Sequence, residues 1–494
     1  MTELCDLSAV ELRRLIGARQ VSPREVWASC RARMEQVNGA VNAVVAIDEE
    51  GAAAQALAAE QAVLRGEALG ALHGLPLGIK DLNETRGLRT THGSLIYRDH
   101  VPAEDESLVA RLRAAGGLIA CKTNTPEFGA GANTVNKVYG ATGNPFDPRL
   151  TCAGSSGGSA VALALDMVPL ATGSDLGGSL RTPAAYCGVV GFRPTPGRVP
   201  CRESSRGYAP LSVEGPMARS VADVALMLAV LAEHDPLDPL SRPGETASLA
   251  QPWPVDPASL RVVFSEDLGV APVEQGIRRV FRDRMARIQH VFKSAERRDP
   301  PLADASPVFE TLRAHGFVAA HRAHYEQHRE LLGPNVVVNT ERGLKLSARE
   351  VGEAEQAHSA LLRRFMTWLD EVDLLVCPAA AVTPFDKTQL YPTHVDGRPL
   401  DTYIHWVCLA YAITLTGSPS LVIPCGLDEQ GLPFGIQLVG KRWDEARLLG
   451  IGLALEAELA RIPECRRPRP DLAGLSGRSA DGARDKPSLG ARQV

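Results

Sequence analysis

The sequence predicts an α/β fold in which a large, mixed central β-sheet is covered by helices on both faces. Predicted strands and helices alternate along most of the 494 residues. The candidate strands are short apolar runs without polar alternation, which is typical of strands covered on both faces. One helix, which begins at Ser159 with SAVALALDM, is wholly apolar and is therefore expected to be buried on all sides.

Helices dominate the predicted N-terminal segment, residues 1–65. Ser22 and Glu25 have the spacing of a capping box, and Pro23 between them suits the first position of a helix. A later, alanine-rich helix is predicted over residues 49–65. We therefore expect residues 1–65 to form a helical segment ahead of the main α/β unit.

The core of the main unit is predicted to span residues 66–235. The segment LHGLPLGIKD gives a short apolar strand that ends near Lys80. The segment DESLVARLRAAGGLIACKTN predicts a helix, a stop at its two glycines and then a buried strand. A further helix is predicted at the end of this core, in GPMARSVADVALMLAVLAEHD.

The second half of the chain is predicted to contain a helical insertion and then a return to the sheet. Residues 236–345 begin with proline and charge and include an amphipathic helix, so we interpret them as an inserted lobe. Residues 346–465 contain strand-like runs such as DLLVCPAA and FGIQLVG and are interpreted as the C-terminal part of the same domain. The polar residues 466–494 are predicted to be a flexible tail.

Composition and charge argue against several classes of function. The net charge is −5 and no dense Lys/Arg run occurs in the body of the chain, which disfavours binding to nucleic acid or to an anionic membrane surface. No apolar run approaches the ~20 residues that a membrane span requires, and the N-terminus lacks the pattern of a secretory signal. The ten cysteines are scattered without a CxxC pair, which is typical of a reducing compartment. We therefore predict a cytoplasmic protein.

Two glycine–serine loops, GSSGGS at 154–159 and GGS at 177–179, carry the strongest functional signal. Glycine lets backbone N–H groups crowd a small reacting atom, because it has no Cβ. A serine hydroxyl beside such a loop is a usable nucleophile only if a base removes its proton. A plain flexible loop is the simplest alternative, but the first loop runs straight into an apolar helix that fixes one of its ends.

Two other known motifs fit this region less well. A phosphate-binding loop needs GxxxxGK[ST] or GxGxxG after a strand, and neither pattern is present. The residues GSSGG at 154–158 formally fit the nucleophile elbow G-x-S-x-G, with Ser156 as the nucleophile. However, an elbow follows a buried strand, whereas the preceding NPFDPRLTCA contains two prolines and does not predict one.

The motifs of the chain resemble those of the amidase signature family. The resemblance covers most of the chain, through the segments GLPLGIKD, CKTNTPEFG, GNPFDPRLTCAGSSGGSA, GSDLGGSLRTPAA, GFRPTPGRVP, GPMARSVADVALML, GSPSLVIPCG and PFGIQLVG. It implies the amidase-signature form of the α/β fold and an amidohydrolase that cleaves C–N amide bonds through an acyl-enzyme. It also implies a Ser-cisSer-Lys triad in which Lys80 is the base, Ser155 the relay with a cis peptide, and Ser179 the nucleophile.

The resemblance implies further roles around this triad. The oxyanion hole would consist of the backbone N–H groups of Leu176, Gly177, Gly178 and Ser179. Consecutive glycines suit a loop that turns its N–H groups toward a developing negative charge. Asp175 and Arg181, which flank the nucleophile loop, are interpreted from their position as ionic and hydrogen-bonding supports, and Ser156 is a further supporting residue. The family commonly has threonine where Leu176 stands, so one side-chain hydrogen bond is expected to be missing.

Lys80 must be uncharged to act as a base. At its free pKa of ~10.4, only about one lysine in 2,500 is neutral at pH 7. Lowering that pKa to near 7 amounts to ~4–5 kcal/mol of differential solvation, which burial can provide. The apolar neighbours Leu75, Leu77 and Ile79 favour such burial. A surface lysine that ends a strand is the alternative for this residue taken alone.

The sequence therefore predicts an amidase that acts on a small apolar or aryl amide and needs neither a metal nor an organic cofactor. Two alternatives share its motifs: the glutaminase (A-type) component of a tRNA-dependent amidotransferase, and a hydrolase of urethanes or ureas. Such glutaminase components usually carry an acidic residue for the glutamine ammonium shortly before GSPSLVIPCG, where this chain has HWVCLAYAITL. The expected partner is the small-molecule amide, with no nucleic acid and no membrane, and a homodimer is compatible with the sequence.

Aromatic residues supply the candidates for the substrate pocket, although core aromatics would show the same pattern. These candidates are Phe128, Tyr403, His405 and Trp406. Three histidines share one helical face by their spacing: His321, His324 and His328. A zinc site would need a further ligand, so we expect a polar face near the substrate entrance and no metal.

Overall fold

A computed structural model describes residues 3–244 and 246–476 of the chain. The strands, in chain order, are β1 (Val44–Ile47), β2 (Pro76–Lys80), β3 (Leu118–Thr123), β4 (Val135–Asn136), β5 (Gly140–Ala141), β6 (Leu170–Asp175), β7 (Val190–Arg193), β8 (Val213–Ala218), β9 (Arg261–Phe264), β10 (Ser294–Arg297), β11 (Leu374–Pro378), β12 (His394–Val395), β13 (Arg398–Pro399), β14 (Ser420–Leu427) and β15 (Pro433–Val439). The helices are α1 (Ala9–Gly17), α2 (Pro23–Val41), α3 (Glu49–Arg65), α4 (Ser107–Ala114), α5 (Gly157–Ala164), α6 (Arg181–Cys187), α7 (Val221–Leu231), α8 (Ala247–Ala250), α9 (Gln275–Ile288), α10 (Ala305–His328), α11 (Pro334–Leu344), α12 (Ala348–Leu369), α13 (Cys408–Thr414) and α14 (Glu445–Arg461).

One eleven-stranded sheet forms the centre of the molecule, in the order β1-β3-β2-β6-β8-β7-β14-β15-β11-β9-β10. Strands β3, β2 and β6 run parallel to one another, whereas the middle of the sheet from β6 to β11 is antiparallel. Strands β11, β9 and β10 are parallel again. The predicted α/β fold with a large mixed central sheet is therefore confirmed.

The core follows the apolar runs of the sequence. Every residue of α5 is buried, as the wholly apolar SAVALAL run predicts. Strands β2 and β15 are buried along their whole length, because they have neighbours on both sides within the sheet and are covered on their faces. The apolar positions of the amphipathic helix α9 are also buried: Ile277, Val280, Phe281, Met285 and Ile288.

The N-terminal segment contains the predicted helices and one strand that the prediction omitted. The Ser22 side chain accepts from the backbone N–H of Glu25, and the Glu25 carboxylate accepts from that of Ser22, so the capping box is formed. Helix α3 covers 49–65 as predicted. Between α2 and α3, the short apolar run of β1 pairs antiparallel with β3 at the edge of the central sheet. Residues 1–65 therefore contribute to the sheet as well as to its helical cover.

The segment 236–345 also contributes to both layers. It supplies α9, α10 and α11, and in addition β9 and β10 at the far edge of the central sheet. The apolar run RVVF predicts β9, whereas SAER of β10 carries no such signal. The division of the chain at residues 65, 235, 345 and 465 stays a prediction.

The predicted flexible tail, 466–494, is only partly covered by the structure. Its residues 466–476 pack on the domain, since the Arg467 guanidinium donates to the Gly188 carbonyl at 2.9 Å and Leu475 is buried. These eleven residues are therefore held against the domain by such contacts. The remainder, 477–494, lies outside the described residues.

Two further properties bear on the predicted environment of the protein. Within 3–244 and 246–476, no helix combines the length and the apolar character that crossing a membrane requires. All ten cysteines fall in this part of the chain, and each is a free thiol.

Candidate active site

Two parallel strands bring Lys80 and the two serine loops to one edge of the central sheet. Strands β2 and β6 pair in parallel, with Leu77 opposite Leu170. Lys80 ends β2, and its backbone N–H donates to Thr172 Oγ1 at 2.8 Å. The loop at 177–179 follows β6 directly, and the loop at 154–159 leads into α5, which contacts both strands. The carboxyl ends of parallel strands meet at one edge, which is why distant segments converge here.

The Lys80 side chain donates to three serine hydroxyls in the interior of the protein. Its Nζ atom lies 2.7 Å from Ser155 Oγ, 2.9 Å from Ser156 Oγ and 2.8 Å from Ser174 Oγ. The side chain is 0% exposed, as its apolar sequence neighbours predict. The first predicted contact of the triad, between Lys80 and Ser155, is thus present in the structure.

Burial gives this lysine an unusual acidity. It lowers the pKa of the Lys80 ammonium to about 7, although the negative charges of Glu214 and Asp175 act in the opposite direction. A group with this pKa is uncharged in about half of the molecules at pH 7. The site therefore holds an amine that can accept a proton under neutral conditions.

The first serine loop is held in one conformation by close packing. The Gly154–Ser155 peptide bond is cis. At Gly158, a Cβ atom would lie 2.2 Å from the backbone nitrogen of Asn124, so only glycine fits this position. The loop contacts the second one through the Ser156 backbone N–H, which donates to the Ser179 carbonyl at 3.2 Å. The two loops therefore form one unit.

A buried ionic cluster braces the second loop. The Asp175 carboxylate accepts two hydrogen bonds from Arg181, at 2.8 and 2.9 Å, and one from Arg193 at 3.1 Å. It also accepts from the backbone N–H groups of Gly178, at 2.9 Å, and Leu180, at 3.2 Å. Burial alone would raise the pKa of Asp175, but the adjacent guanidinium groups hold it well below its usual range. The carboxylate therefore stays ionised and fixes the path of the loop.

This cluster changes the predicted set of oxyanion donors. The Gly178 N–H is already engaged by Asp175, so it is not free for a developing oxyanion. The role of Gly178 is conformational instead: its φ is +121°, and a Cβ there would lie 2.5 Å from that of Ala410. The remaining predicted donors are the N–H groups of Leu176, Gly177 and Ser179.

A cavity of about 290 Å³ opens onto both serine loops. Ser155, Ser174 and Ser179 line it, together with Leu176 and Gly177. Its wall is largely apolar and includes Leu82, Phe128, Phe309, Leu312, Phe317, Ile404 and Val407. The relay serine and the nucleophile serine of the prediction thus face one substrate-sized space.

The predicted pocket residues divide into two groups. Phe128 lines the cavity, whereas Tyr403, His405 and Trp406 are not among its lining residues. Trp406 is buried and packs edge-to-face on Phe385, with 5.4 Å between ring centroids. The residues of this turn that line the cavity are instead the neighbours Ile404 and Val407. The composition of a short turn does not show which of its side chains face a cavity.

The three histidines of α10 also have different surroundings. His321 lines the cavity and contacts Phe128, with 4.9 Å between ring centroids. His324 stacks on Phe128 at 5.2 Å. Burial, with His324 and Arg313 nearby, lowers the pKa of His321 to about 4, so its ring is uncharged at neutral pH. His328 is not among the lining residues, and the described part of the chain holds no group of three or more His, Cys, Asp or Glu placed to bind a metal ion.

Several residues of the site were missed by sequence reasoning. Ser174 contacts Lys80 and could have been found, because it stands five residues before Ser179 on a strand that leads into the loop. Glu214, Arg206 and Arg313 line the cavity from β8, the loop before it and α10. In the sequence, an isolated charged residue in these segments cannot be distinguished from a charged residue on the solvent-exposed surface.

The chain is similar to known amidases along nearly its whole length. The family model described as Amidase matches residues 25–449. The A component of the glutamyl-tRNA(Gln) amidotransferase of Chloroflexus aggregans is 34% identical, over 96% of this chain and 100% of the relative. An acylamidase of Rhodococcus erythropolis is 32% identical, over 91% of this chain and 95% of the relative.

Solved structures agree with this assignment. A bacterial aryl acylamidase of the amidase signature enzymes has a TM-score of 0.84 and 28% identity, over 97% of this chain and 99% of that one. From the family match, the relatives and the fold together, we conclude that this chain belongs to the amidase family and is an amidohydrolase of the amidase signature type.

Proposed function

We propose that this amidohydrolase cleaves the C–N bond of small amides through an acyl-enzyme on Ser179, with Ser155 and Lys80 as proton carriers. The observation that carries the proposal is the 2.7 Å hydrogen bond from Lys80 Nζ to Ser155 Oγ in a buried site. Ser155 and Ser179 lie on the same cavity, so a substrate there would meet both hydroxyls.

Acylation follows from this arrangement. Ser179 Oγ attacks the amide carbonyl carbon, its proton passes to Ser155 Oγ, and the Ser155 proton passes to the uncharged Lys80 amine. The negative charge moves onto the carbonyl oxygen, where the N–H groups of Leu176, Gly177 and Ser179 are the proposed donors. One such donor is worth about 3–4 kcal/mol of barrier. When the C–N bond breaks, the proton returns through Ser155 to the departing nitrogen.

Deacylation repeats the proton path with water in place of the amine. Water attacks the Ser179 ester carbon and gives up its proton through Ser155 to Lys80. The second tetrahedral intermediate then expels Ser179 Oγ, which takes the proton back, and the carboxylic acid is released. Lys80, acting through Ser155, is therefore first base and then acid within each half-reaction, and no proton is left on the enzyme after a cycle.

The wall of the cavity favours an amide with an apolar or aryl body. Phe309 stacks on Tyr411, with 4.4 Å between ring centroids, and lies beside Gly177 of the nucleophile loop. Phe128 and Phe317 add two more rings to the wall. Burial of a phenyl or short alkyl group against such side chains contributes roughly 2 kcal/mol to binding. The likeness to an aryl acylamidase and an acylamidase agrees with this substrate class.

A substrate panel on the purified chain tests the proposal. Aryl anilides, aliphatic amides, carbamates, ureas and glutamine are compared by kcat/KM, with the release of amine measured directly. We expect turnover of aryl anilides above all other members of the panel. Preferred turnover of carbamates or ureas would instead support the urethane or urea hydrolase, and an inactive panel would contradict the proposal.

A glutaminase role is the second candidate, because the A components of glutamyl-tRNA(Gln) amidotransferases are among the relatives, at 34% identity over 96% of the chain. The segment before GSPSLVIPCG has no acid for a glutamine ammonium, which argues against it. Turnover of glutamine alone, and only after addition of the other components of such an amidotransferase, would establish this role in place of the first.

We also place the protein in a reducing, cytoplasmic compartment. The support is that all ten cysteines are free thiols, nine of them buried among core side chains. Buried thiols behave as small apolar groups and do not need a partner.

The pH profile provides a further prediction. Because the base must be uncharged, kcat/KM is expected to rise with pH and to level off above the Lys80 pKa of about 7. The negative charge of Glu214 raises that pKa, so Glu214→Gln should move the rise to lower pH. Stopped assays between pH 5 and 9 measure both curves, and a shift of the variant to higher pH would contradict the assignment of Lys80 as base.

A further inference from the structure

Two arginines, Arg206 and Arg313, line the cavity and differ from most other arginines of the protein. Arg206 comes from the loop before β8, and Arg313 comes from α10. Most arginines are paired with acids, but within the described residues no carboxylate oxygen lies within 4.0 Å of either of these two guanidinium groups. A guanidinium that is shielded from water and lacks a counter-ion is unfavourable unless something else satisfies it. An anionic group bound in the cavity beside these two side chains would supply the missing counter-ion.

Arg313 is held in place by neutral neighbours. The residue is 7% exposed, and its guanidinium lies over the rings of Phe317, at 4.6 Å, and Tyr403, at 5.4 Å. One of its N–H groups donates to Asn339 Oδ1. Because a guanidinium has five N–H donors in a fixed plane, this arrangement orients the group while leaving donors for a ligand.

Arg206 reaches toward the same stretch of α10. Its Nη1 atom lies 2.8 Å from the position that a Cβ on Gly316 would occupy. Gly316 is three residues from Arg313, so both belong to one helical face, and both line the cavity. Arg206 is half-buried, and this burial lowers its pKa, although Glu355 acts in the opposite direction.

We propose that Arg206 and Arg313 bind a carboxylate of the substrate, so that the preferred substrate is an amide with an apolar or aryl body and an anionic end. The inference rests on the proposed amide hydrolysis and specifies its substrate class. Paired guanidinium groups suit a carboxylate because their parallel N–H donors match its two oxygens.

The spacing of residues along α10 sets the distance between the scissile carbonyl and the carboxylate of such a substrate. Phe309 lies beside Gly177 of the nucleophile loop, and Arg313 follows it on α10 by four residues, which is about 6 Å along the axis. A carboxylate a few bonds from the scissile carbonyl would therefore reach the arginines. Glu214 lines the cavity and its charge acts on Lys80. Burial raises the pKa of Glu214 to about 7, so above neutral pH, where it is ionised, it would repel a substrate carboxylate at the serine end.

Matched substrate pairs test this inference. The acyl series compares the mono-4-nitroanilides of glutaric and adipic acids with the 4-nitroanilides of pentanoic and hexanoic acids. The amine series compares hexanoyl amides of 4-aminobenzoate and of aniline. We expect kcat/KM for the anionic member to exceed that for the neutral member by on the order of ten-fold or more in one of the two series. A neutral preference in both series would overturn the inference.

Variants of the two arginines then test whether these side chains cause the preference for anionic substrates. Arg206→Gln and Arg313→Gln should each lower the ratio of anionic to neutral kcat/KM by on the order of ten-fold, and Arg313→Lys should restore part of it. Arg322→Gln is the matched control, because Arg322 lies on the exposed side of α10 and should leave the ratio unchanged. If Arg313→Gln fails to fold, as thermal unfolding would show, the half-buried Arg206 still decides the outcome.

The two proposals fail in different ways. Hydrolysis of neutral anilides with no preference for the anionic members would overturn the arginine subsite and leave amide hydrolysis intact. An unchanged ratio in both folded arginine variants would have the same meaning. Absence of turnover for every anilide, charged or neutral, would instead contradict the proposed function.

Discussion

Ser179→Ala is expected to reduce kcat for amide hydrolysis by roughly 10⁴- to 10⁶-fold, since removal of a nucleophile of this kind has effects of that size in serine hydrolases. The variant removes only an oxygen from a loop whose backbone is held by Asp175, so the fold should be retained. Steady-state assays on the preferred anilide, with thermal unfolding as a check of integrity, measure the effect. A folded variant with activity within ten-fold of the parent would refute the assignment.

Ser156→Ala is the variant to compare with Ser179→Ala. Ser156 is the nucleophile of the competing elbow motif, yet its Oγ accepts from Lys80 at 2.9 Å and donates to the Ser174 carbonyl at 3.3 Å. It therefore serves to orient the amine, and its loss should lower kcat far less than the loss of Ser179. If instead the Ser156 variant is inactive and the Ser179 variant is active, the elbow motif is the correct interpretation.

Arg181→Met is expected to reduce the free energy of unfolding by about 3–5 kcal/mol, because it leaves a buried carboxylate without its main partner. Arg181 is fully buried and donates to Asp175, to the Ala410 carbonyl at 2.7 Å and to Gln437 Oε1 at 2.7 Å. All these acceptors lose a donor in the variant. Urea denaturation followed by circular dichroism measures the change.

An exposed ion pair is the control for that measurement. Arg349 and Glu353 are separated by 3.9 Å, and their side chains are 84% and 67% exposed. Such pairs contribute at most about 0.5 kcal/mol, so Arg349→Met should leave the unfolding curve nearly unchanged. Equal losses in the two variants would show that the buried cluster does not hold the loop as described.

The α/β fold could be predicted because its elements carry strong local signals. The buried strand at β3 and the apolar helix α5 are runs of apolar residues that only a covered position accommodates. Strands β1 and β10 are missing from the prediction: each is a four-residue edge strand whose pairing depends on a partner distant in the chain, and β10 also lacks an apolar run. Edge pairing is a property of the assembled sheet rather than of the local sequence.

The positions of the proposed catalytic residues could be predicted, whereas the wall of the cavity, apart from Phe128, could not. Lys80, Ser155 and Ser179 stand in glycine-rich or apolar contexts whose spacing is tied to strand ends, so the motif predicts their place. Much of the wall of the cavity comes from α10 and from turns near 206 and 404, which are distant in the chain from Lys80. Their side chains satisfy ordinary helical patterns, and the charges of Arg206 and Arg313 become notable only when their neighbours are known.

The three hydroxyls around Lys80 also limit the directions in which the lone pair of its uncharged amine can point. An uncharged amine has two N–H bonds and one lone pair. Ser156 already gives its own hydrogen to the Ser174 carbonyl, so it can only accept from the amine. The lone pair must therefore face Ser155 or Ser174. In the proposed mechanism the second N–H donates to Ser174, and the lone pair then points at Ser155, the hydroxyl from which the amine would take a proton.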